Sequence, residues 1–456
     1  MTENHIYDQI VLGAGPSGIS YSLFFDNSPL IIEKNDHPGG HASSFVIDGF
    51  TFDYGPHIIF SRDKLILDFI VKSLGDNVHQ CKRNNKISFK NKLVKYPFEN
   101  DLSSLDLEDN YECISQFLFN PYKEKYKNPS NMKEWFLHTF GEGISNKYLI
   151  PYNEKVWNVP VEKLSMVWSD RIPNPPPEDI LKSSIGIKTE GYIHQLYYHY
   201  PEKGGYQAIS QNWSHVCDIH FNEEVVKINK LDDGFEIETS KQTYQSKKIV
   251  STINLSSLFK TCAHWIPKEV IEAYKKLIIN PMYVISIGIK GQDVDKLTAI
   301  YFADKEFLVN RVSYPCTFSE KNGPNNHFSI QAEITYNAQS DIADMTDEAI
   351  IQHVLDGLKE RSLIHGEVIL VDLKRVSESY VVYDVGYENH AKIIRDYFAE
   401  VGIDLIGRFS YFEYINIDMA VARSIETFQR IGQSTLTKEE LLNKALTKIL
   451  NTKIKR

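Results

Sequence analysis

Apolar positions change their spacing along the 456-residue chain, and those changes mark off segments of different kinds. Near the start, Ile10-Val11-Leu12 and Leu30-Ile31-Ile32 are short unbroken apolar runs, the pattern of strands buried on both faces. Between about 62 and 172 the apolar residues recur every three or four positions, as in Lys64–Lys72 and Glu134–Phe140, so this stretch is predicted to be mostly helical. Pro173-Asn174-Pro175-Pro176-Pro177 suits neither a helix nor a central strand and is expected to be a stiff extended connector. Alternation returns at 221–228, 234–239 and 248–252 around a turn at Asp232-Asp233-Gly234, then at 283–289, 328–334 and 368–371, with one helix near 347–361. Thr437-Lys438-Glu439-Glu440 has the form of a capping box. Leu441, Leu442, Ala445, Leu446, Ile449 and Leu450 continue it as the stripe of an amphipathic helix whose basic end, Lys453 to Arg456, suits the helix dipole.

The order strand, helix, strand, helical insert, strands predicts an α/β chain of several domains, as its length requires. A Rossmann-like nucleotide-binding domain is assigned to 1–62, 203–262 and 395–435. An inserted helical domain takes 63–172, an antiparallel β-sheet domain 173–202 and 263–394, and a C-terminal helix 436–456.

Composition narrows the function more than the fold. The chain is 42% hydrophobic and 24% charged, and no run approaches the roughly 18 apolar residues of a membrane span. No membrane role is expected, and the start, Met1-Thr2-Glu3-Asn4-His5, lacks the features of a signal peptide, so a cytoplasmic location is expected. A formal charge of −10 argues against nucleic acid as a partner while leaving room for a local basic pocket. Five scattered cysteines without a CxxC argue against a disulfide framework and a zinc site, and no metal is expected. Homo-oligomerisation is left open.

Candidate chemistry begins with Gly13-Ala14-Gly15-Pro16-Ser17-Gly18, directly after the first strand. Gly13 allows the tight turn, Gly15 lets backbone approach a pyrophosphate, and Gly18 lets the next helix pack close to the sheet. Glu33 ends the second strand where a carboxylate can accept hydrogen bonds from ribose hydroxyls. This is a mononucleotide-binding turn, and by itself it does not choose between FAD and NAD. A second glycine pair, Gly39-Gly40, opens the stretch His41-Ala42-Ser43, and Gly55-Pro56-His57 closes the next strand.

With those segments the sequence resembles the flavoproteins that include amine oxidases, protoporphyrinogen oxidases and UDP-galactopyranose mutases, and within them it is most similar to mutases of the eukaryotic type. The likeness runs through Tyr96-Pro97-Phe98-Glu99-Asn100, Pro151–Trp157, Trp168–Arg171, the Asn222-x-x-Val225-x-x-Ile228 strand and Gly407–Asp418. It departs at Pro56, where a second glycine is usual, at Phe318, where a phosphate-contacting tyrosine is expected, and at Gln195, near the place of a substrate-binding asparagine.

The resemblance implies FAD held by Gly13, Gly15, Gly18, Glu33, Gly39, Gly40, His41, Ala42, Ser43, Val225, Arg408, Asn416, Ile417 and Asp418, with NAD(P)H a candidate reductant. It implies a nucleoside-diphosphate sugar as substrate, with Arg171 and Arg311 clamping the diphosphate and His57 touching flavin or sugar. Tyr96, Phe98, Asn153, Trp157, Tyr301, Tyr387 and Tyr414 would surround the nucleotide. Read from the residues alone, Arg311 also suits a salt bridge, His57 a turn histidine satisfied by backbone, and the aromatic residues core packing. The implied activity is interconversion of pyranose and furanose forms of an NDP-hexose through a reduced-flavin N5 sugar adduct. The alternative is an FAD-dependent oxidoreductase of the amine oxidase or desaturase kind.

Overall fold

The computed structural model describes residues 5–190, 196–293, 295–432 and 434–454. Gln195 lies outside these, as does the end of the basic tail. Two seven-stranded sheets and a cluster of helices make up the fold.

The first sheet is built on Ile6–Leu12, whose Ile10, Val11 and Leu12 are fully buried. Leu30–Ile32 lies parallel to it on one side and Thr243–Ser251 parallel on the other; Asp218–His220 and Ile403–Leu405 extend the parallel core outward. An antiparallel pair, Val225–Leu231 and Gly234–Thr239, is attached at the edge through Thr243–Ser251. Helix Pro16–Leu23 packs against helix Ile417–Gly432, where the Ser20 and Ser424 hydroxyls meet at 2.8 Å.

The second sheet runs Glu367–Val382, Ile278–Lys290, His327–Thr335, Arg311–Ser313, Ala299–Phe302, Asn85–Phe89 and Lys92–Lys95. It is antiparallel except where Ala299–Phe302 runs parallel to Asn85–Phe89. Those last two strands fall inside the stretch expected to be helical. They form a hairpin around Lys90 and Asn91, both at positive φ (47° and 62°), the geometry of a tight type I′ turn. Neither residue is glycine, and the outer strand Lys92–Lys95 is a short edge strand with a lysine at each end, so the hairpin left little hydrophobic alternation to read.

Two further boundaries differ from expectation. Pro177 opens helix Pro177–Ser184, because the first helical position has no use for an N–H, so the connector is extended only through Pro176. That helix packs with the helical cluster, where Ser183 donates to the Glu99 carbonyl (3.1 Å), and not with the second sheet. Tyr197–Tyr200 pairs with His79–Lys82 in a separate two-stranded ribbon.

All five cysteines are free, and among the described residues no group of three or more His, Cys, Asp or Glu is placed to hold a metal ion. No described helix is long and apolar enough to cross a membrane.

Helix Lys438–Ile454 closes the described chain. The Glu440 carboxylate accepts from the Thr437 N–H (2.7 Å) and hydroxyl (2.8 Å), and the Thr437 hydroxyl accepts from the Glu440 N–H (3.3 Å). The buried face of this helix, Leu441, Ala445 and Ile449, shares a core with helix Lys64–Leu74. Thr437→Ala removes one hydrogen-bonding arm of this box and is expected to lower the unfolding free energy by about 1 kcal/mol, whereas Thr437→Ser leaves it nearly unchanged. Urea titration of the three proteins checks this.

Candidate functional site

One cavity of about 1090 Å³ runs from the first glycine turn, past His57, to the aromatic side chains between the helical cluster and the second sheet. At its first end three glycines do three different jobs. Gly13 takes φ 98°, and a β-carbon there would lie 2.6 Å from the Thr252 hydroxyl, which donates to the Leu12 carbonyl. A β-carbon on Gly18 would lie 2.1 Å from the Gly13 carbonyl oxygen, so only glycine lets the helix start this close to the strand. A β-carbon on Gly15 would meet no protein atom within 4 Å; it would project into the cavity. Gly40 approaches from the opposite side, with its missing β-carbon 3.6 Å from Gly15 Cα, and Gly39 donates to the Ala14 carbonyl at 2.9 Å. Helix Pro16–Leu23 has no side-chain cap at Gly15, so its first N–H groups are left for an anion in the cavity.

Glu33 lines the same end. Its two carboxylate oxygens accept from the Ala14 N–H (2.7 Å) and the Asn35 N–H (2.9 Å), which fixes the side chain while leaving lone pairs for a sugar hydroxyl. Val225 lines the wall nearby. An open glycine cradle, a helix N-terminus and a fixed carboxylate are the parts an FAD pyrophosphate and ribose require.

The middle of the cavity is cationic. His41 and Ala42 sit in a short 3-10 turn, Ser43 caps that turn by donating to the Gly40 carbonyl (2.7 Å), and the His41 ring packs on Phe409 at 4.3 Å. Arg408 donates to the Ile415 carbonyl (2.9 and 2.7 Å), lies 3.4 Å from Asn416 Oδ1, and stacks on the Tyr414 ring at 4.2 Å. Asn416, Ile417 and Asp418 begin the helix that closes this wall; Asp418 accepts from the Ser61 hydroxyl at 2.8 Å. His57 stacks on Tyr206 (5.0 Å) and its Nδ1 is buried with no hydrogen-bond partner among the described residues. Burial, with Arg408 and Arg311 adding like charge, pushes its pKa down to about 3; burial and Arg408 push His41 down to about 4.

At the far end the two predicted arginines differ. Arg171 is exposed at the cavity wall, donates to the Tyr414 carbonyl, and lies over the Tyr414 and Trp168 rings (5.0 and 5.8 Å). It forms no ion pair among the described residues. Arg311 is gripped by Glu333, which faces it on the neighbouring strand, through Nε to Oε2 and Nη2 to Oε1 (3.0 Å); Nη2 also donates to the Tyr380 hydroxyl (3.2 Å). Burial opposes the charge of Arg311, but Glu333 outweighs it and holds the guanidinium pKa well above its ordinary value. Arg311 therefore has a salt bridge and brings no net charge to the cavity.

Of the seven predicted nucleotide contacts, Tyr96, Asn153, Trp157, Tyr301 and Tyr414 line the cavity. Asn153 spends its amide within its helix, donating to the Leu149 carbonyl (2.7 Å) and accepting from Trp157 Nε1 (3.3 Å). Phe98 and Tyr387 do not line it. Phe98 is fully buried, stacked on Tyr148 at 5.2 Å, and supports the cavity floor from beneath. Tyr387 is 4% exposed; its hydroxyl donates to the Phe412 carbonyl (2.5 Å) and accepts from Arg395 (2.9 Å), bracing the loop that carries Tyr414. Phe318 does line the cavity.

Lining residues outside the predicted set include Asn85, Glu99, Tyr148, Tyr152, Tyr206, Glu333 and Tyr380. Glu99 follows Tyr96-Pro97-Phe98, and a carboxylate directly after these three apolar residues was its only signal in the sequence.

The model of the family described as flavin containing amine oxidoreductase matches residues 27–364. A solved structure of reduced UDP-galactopyranose mutase superposes with a TM-score of 0.86 at 22% identity, covering 97% of this chain and 99% of its own. Coproporphyrinogen III oxidase of Staphylococcus aureus is 21% identical over 83% of this chain and 88% of its own length. UDP-galactopyranose mutase of Mycoplasma genitalium is 28% identical over 34% of this chain and 40% of its own length.

Two outcomes check the site. Gly15→Val adds carbons only where the cavity is open, so the protein is expected to fold with an unchanged far-ultraviolet spectrum while its flavin content falls about tenfold or more, read from visible absorbance. For His57, the unfolded chain takes up its proton near the ordinary pKa of 6.5 and the folded protein only near 3. Its contribution to stability is therefore present above about pH 6.5 and lost as pH falls from there towards 3. His57→Asn is expected to show a smaller fall in melting temperature between about pH 7 and about pH 5 than the parent protein.

Proposed function

This chain belongs to the flavin containing amine oxidoreductase family and holds FAD, and we propose that it is a nucleotide-sugar mutase, interconverting the pyranose and furanose forms of an NDP-hexose of the UDP-galactose type. The observation that carries this reading is Arg171, a cation without a carboxylate partner on the wall of the cavity that also contains the flavin cradle. A diphosphate needs such a charge. Arg311, neutralised by Glu333, offers direction to a hydrogen bond rather than net charge.

FAD in its reduced form, held by the glycine cradle and Glu33, would supply the nucleophile for exchange at the anomeric carbon of the sugar. The chain's own residues then have three tasks. Arg171 offsets charge on the departing diphosphate and, bonded to the Tyr414 carbonyl, ties that charge to the loop beside Arg408. His57 is neutral at physiological pH, so its unpartnered Nδ1 can orient a hydroxyl without repelling the sugar's developing positive charge. Tyr96, Tyr301 and Tyr414 exclude water and fix the nucleotide, so positioning supplies much of the acceleration.

The likeness to an oxidase over most of the chain favours a second reading, an FAD-dependent oxidoreductase with another substrate. One experiment separates the two. Holoenzyme reduced with dithionite or NAD(P)H is incubated with UDP-, GDP- and dTDP-hexoses, and furanose products are sought by chromatography. The mutase reading expects product only with reduced flavin, and a loss of about 100-fold or more in kcat/KM for Arg171→Ala. Oxygen-consuming turnover of an amine or porphyrinogen, with no product from any nucleotide sugar, would sink it.

A further inference from the structure

Helix Ile150–Trp157 brings Tyr152, Asn153, Val156 and Trp157 to the cavity, but Lys155, which stands among them in the sequence, does not line it. Its ammonium instead donates to two backbone carbonyls of the loop 303–310, those of Asp304 (2.7 Å) and Phe307 (2.6 Å). That loop joins Ala299–Phe302 to Arg311–Ser313, two antiparallel strands whose register sets Tyr301 directly opposite Arg311. Tyr301 and Arg311 both line the cavity from the second sheet. Lys155 therefore ties the helical wall to the sheet wall from outside the cavity. Two further bonds across this seam are uncharged: Asn280 donates to the Trp157 carbonyl (2.6 Å), and the Thr335 hydroxyl to the Lys155 carbonyl (3.4 Å).

We infer that Lys155 is a positioning residue: its ammonium sets the distance between helix Ile150–Trp157 and the strand pair of Tyr301 and Arg311, and the cavity grips a nucleoside diphosphate tightly only while that ammonium is charged. This rests on the nucleotide-sugar reading above and adds to it a residue that does not line the ligand's cavity.

The loop is built around the cation. Two carbonyls three residues apart converge on one nitrogen, while the Asp304 carboxylate turns to Arg361 (2.6 Å), whose guanidinium lies over the Phe307 ring at 4.3 Å. A β-carbon on Gly357 would lie 2.3 Å from that ring, so helix Asp347–Glu360 fixes the loop from its other side. There His353 Nε2 accepts from the Leu308 N–H at 2.9 Å. A charged donor makes hydrogen bonds roughly twice as strong as a neutral one, so loss of the Lys155 proton weakens both of its bonds at once.

The charges that face Lys155 leave its state open near neutral pH. Asp304 and Glu306 favour the charged form, whereas Arg361, and His353 when protonated, oppose it. Lys305 and Lys163 are exposed; Glu333 is engaged by Arg311, Asp356 by Gln352 (2.8 Å) and Glu360 by Arg361 (3.9 Å). On its own helix Glu154 accepts from the Val161 N–H (3.3 Å). Beyond the helix ends, Lys147 pairs with Asp109 (2.9 Å) and Glu112 (2.6 Å), and Glu162 with Lys133 (3.9 Å). Burial outweighs the two facing carboxylates and pushes Lys155 down to about 7.

The test is calorimetric titration of UDP into the FAD holoenzyme and its Lys155→Arg and Lys155→Met variants from about pH 6.5 to about pH 8.5, with melting temperatures over the same range. UDP affinity of the parent is expected to fall about fivefold as Lys155 loses its proton. Lys155→Arg, whose charge does not titrate, should lack that fall. Lys155→Met should bind about fivefold more weakly than the parent near pH 6.5 and about equally near pH 8.5. Stability moves the other way. The unfolded chain keeps this proton to about pH 10.5 and the folded protein only to about 7, so Lys155 lends the parent growing stability as pH rises through that window. The parent's melting temperature should therefore rise by about two degrees relative to Lys155→Met between about pH 6.5 and about pH 8.5. A bond that merely held the fold together would move affinity and stability in the same direction.

Proton uptake keeps the inference testable where a variant does not fold. By linkage UDP raises the pKa of Lys155, so the parent should take up about half a proton on binding UDP near pH 7.5, read from binding heats in buffers of different ionisation enthalpy. Absence of that uptake, or a parent profile no steeper than that of Lys155→Arg, overturns the inference. If UDP binds, and binding weakens in Arg171→Ala but ignores both Lys155 variants, this inference fails and the nucleotide-sugar reading stands. If UDP does not bind the parent at any pH, both fail.

Discussion

The site depends on one close approach. A β-carbon on Gly18 would lie 2.1 Å from the Gly13 carbonyl, so the absence of that carbon brings the helix Pro16–Leu23 down onto the end of the first strand. From there the consequences spread outward. Strand Ile6–Leu12 ends beside Leu30–Ile32 and Thr243–Ser251, so Glu33 and Thr252 arrive at the same turn from both sides. The Ala14 N–H is fixed by Glu33 and the Ala14 carbonyl by Gly39. The second glycine pair is thereby held against the first, and the cavity begins between them.

Away from that cradle the arrangement is governed by charge. Arg408, Arg311 and Arg171 line one cavity, yet among the described residues only Arg311 is paired with a carboxylate, so two of the three charges remain. Arg311 is cancelled by Glu333, while Arg408 is turned onto the Ile415 carbonyl and the Tyr414 ring. The Tyr414 ring has Arg408 on it at 4.2 Å and Arg171 at 5.0 Å, so one aromatic side chain connects the flavin side of the cavity with its mouth. Burial, helped by Arg408 and at His57 also by Arg311, keeps His57 and His41 unprotonated, which holds the middle of the site free of a charge that would vary near neutral pH.

The sequence was most legible where local chemistry and tertiary role coincide. Gly13 and Gly18 are required by the backbone itself and Gly15 keeps the cradle open, and their spacing showed it; the capping box at Thr437 and Glu440 is likewise a four-residue event. What could not be read depends on partners distant in the chain. The hairpin 85–95 is a strand pair only because Ala299–Phe302 offers it a neighbour, and its lysine-rich pattern carries no periodic signal. Arg311 and Glu333 are 22 residues apart, and nothing in either neighbourhood reveals the pair. Phe98 and Tyr387 illustrate the same limit in another form. Phe98 sits between the lining residues Pro97 and Glu99 yet is turned beneath the cavity, and Tyr387 lies behind the Tyr414 loop.

Those two displaced side chains still shape the site, which is why a motif is informative even when its individual contacts are misassigned. Tyr387 holds the Phe412 carbonyl, and Tyr383 accepts from the Tyr414 N–H at 2.5 Å, so the ring that bridges the arginines is positioned by hydroxyls outside the cavity. Phe98 supports Tyr148 from below, and Tyr148 supports Tyr152. Leaving the Tyr148 hydroxyl and the Glu99 and Asn85 oxygens without partners costs about 1–3 kcal/mol each in a packed interior. The rings of Phe98, Tyr148 and Tyr152, stacked on one another, offset that cost through the apolar surface they bury. Core packing and recognition are thus two faces of the same layer: the buried face sets the rigidity, and the exposed face sets which ligand edge can recover the unspent hydrogen bonds.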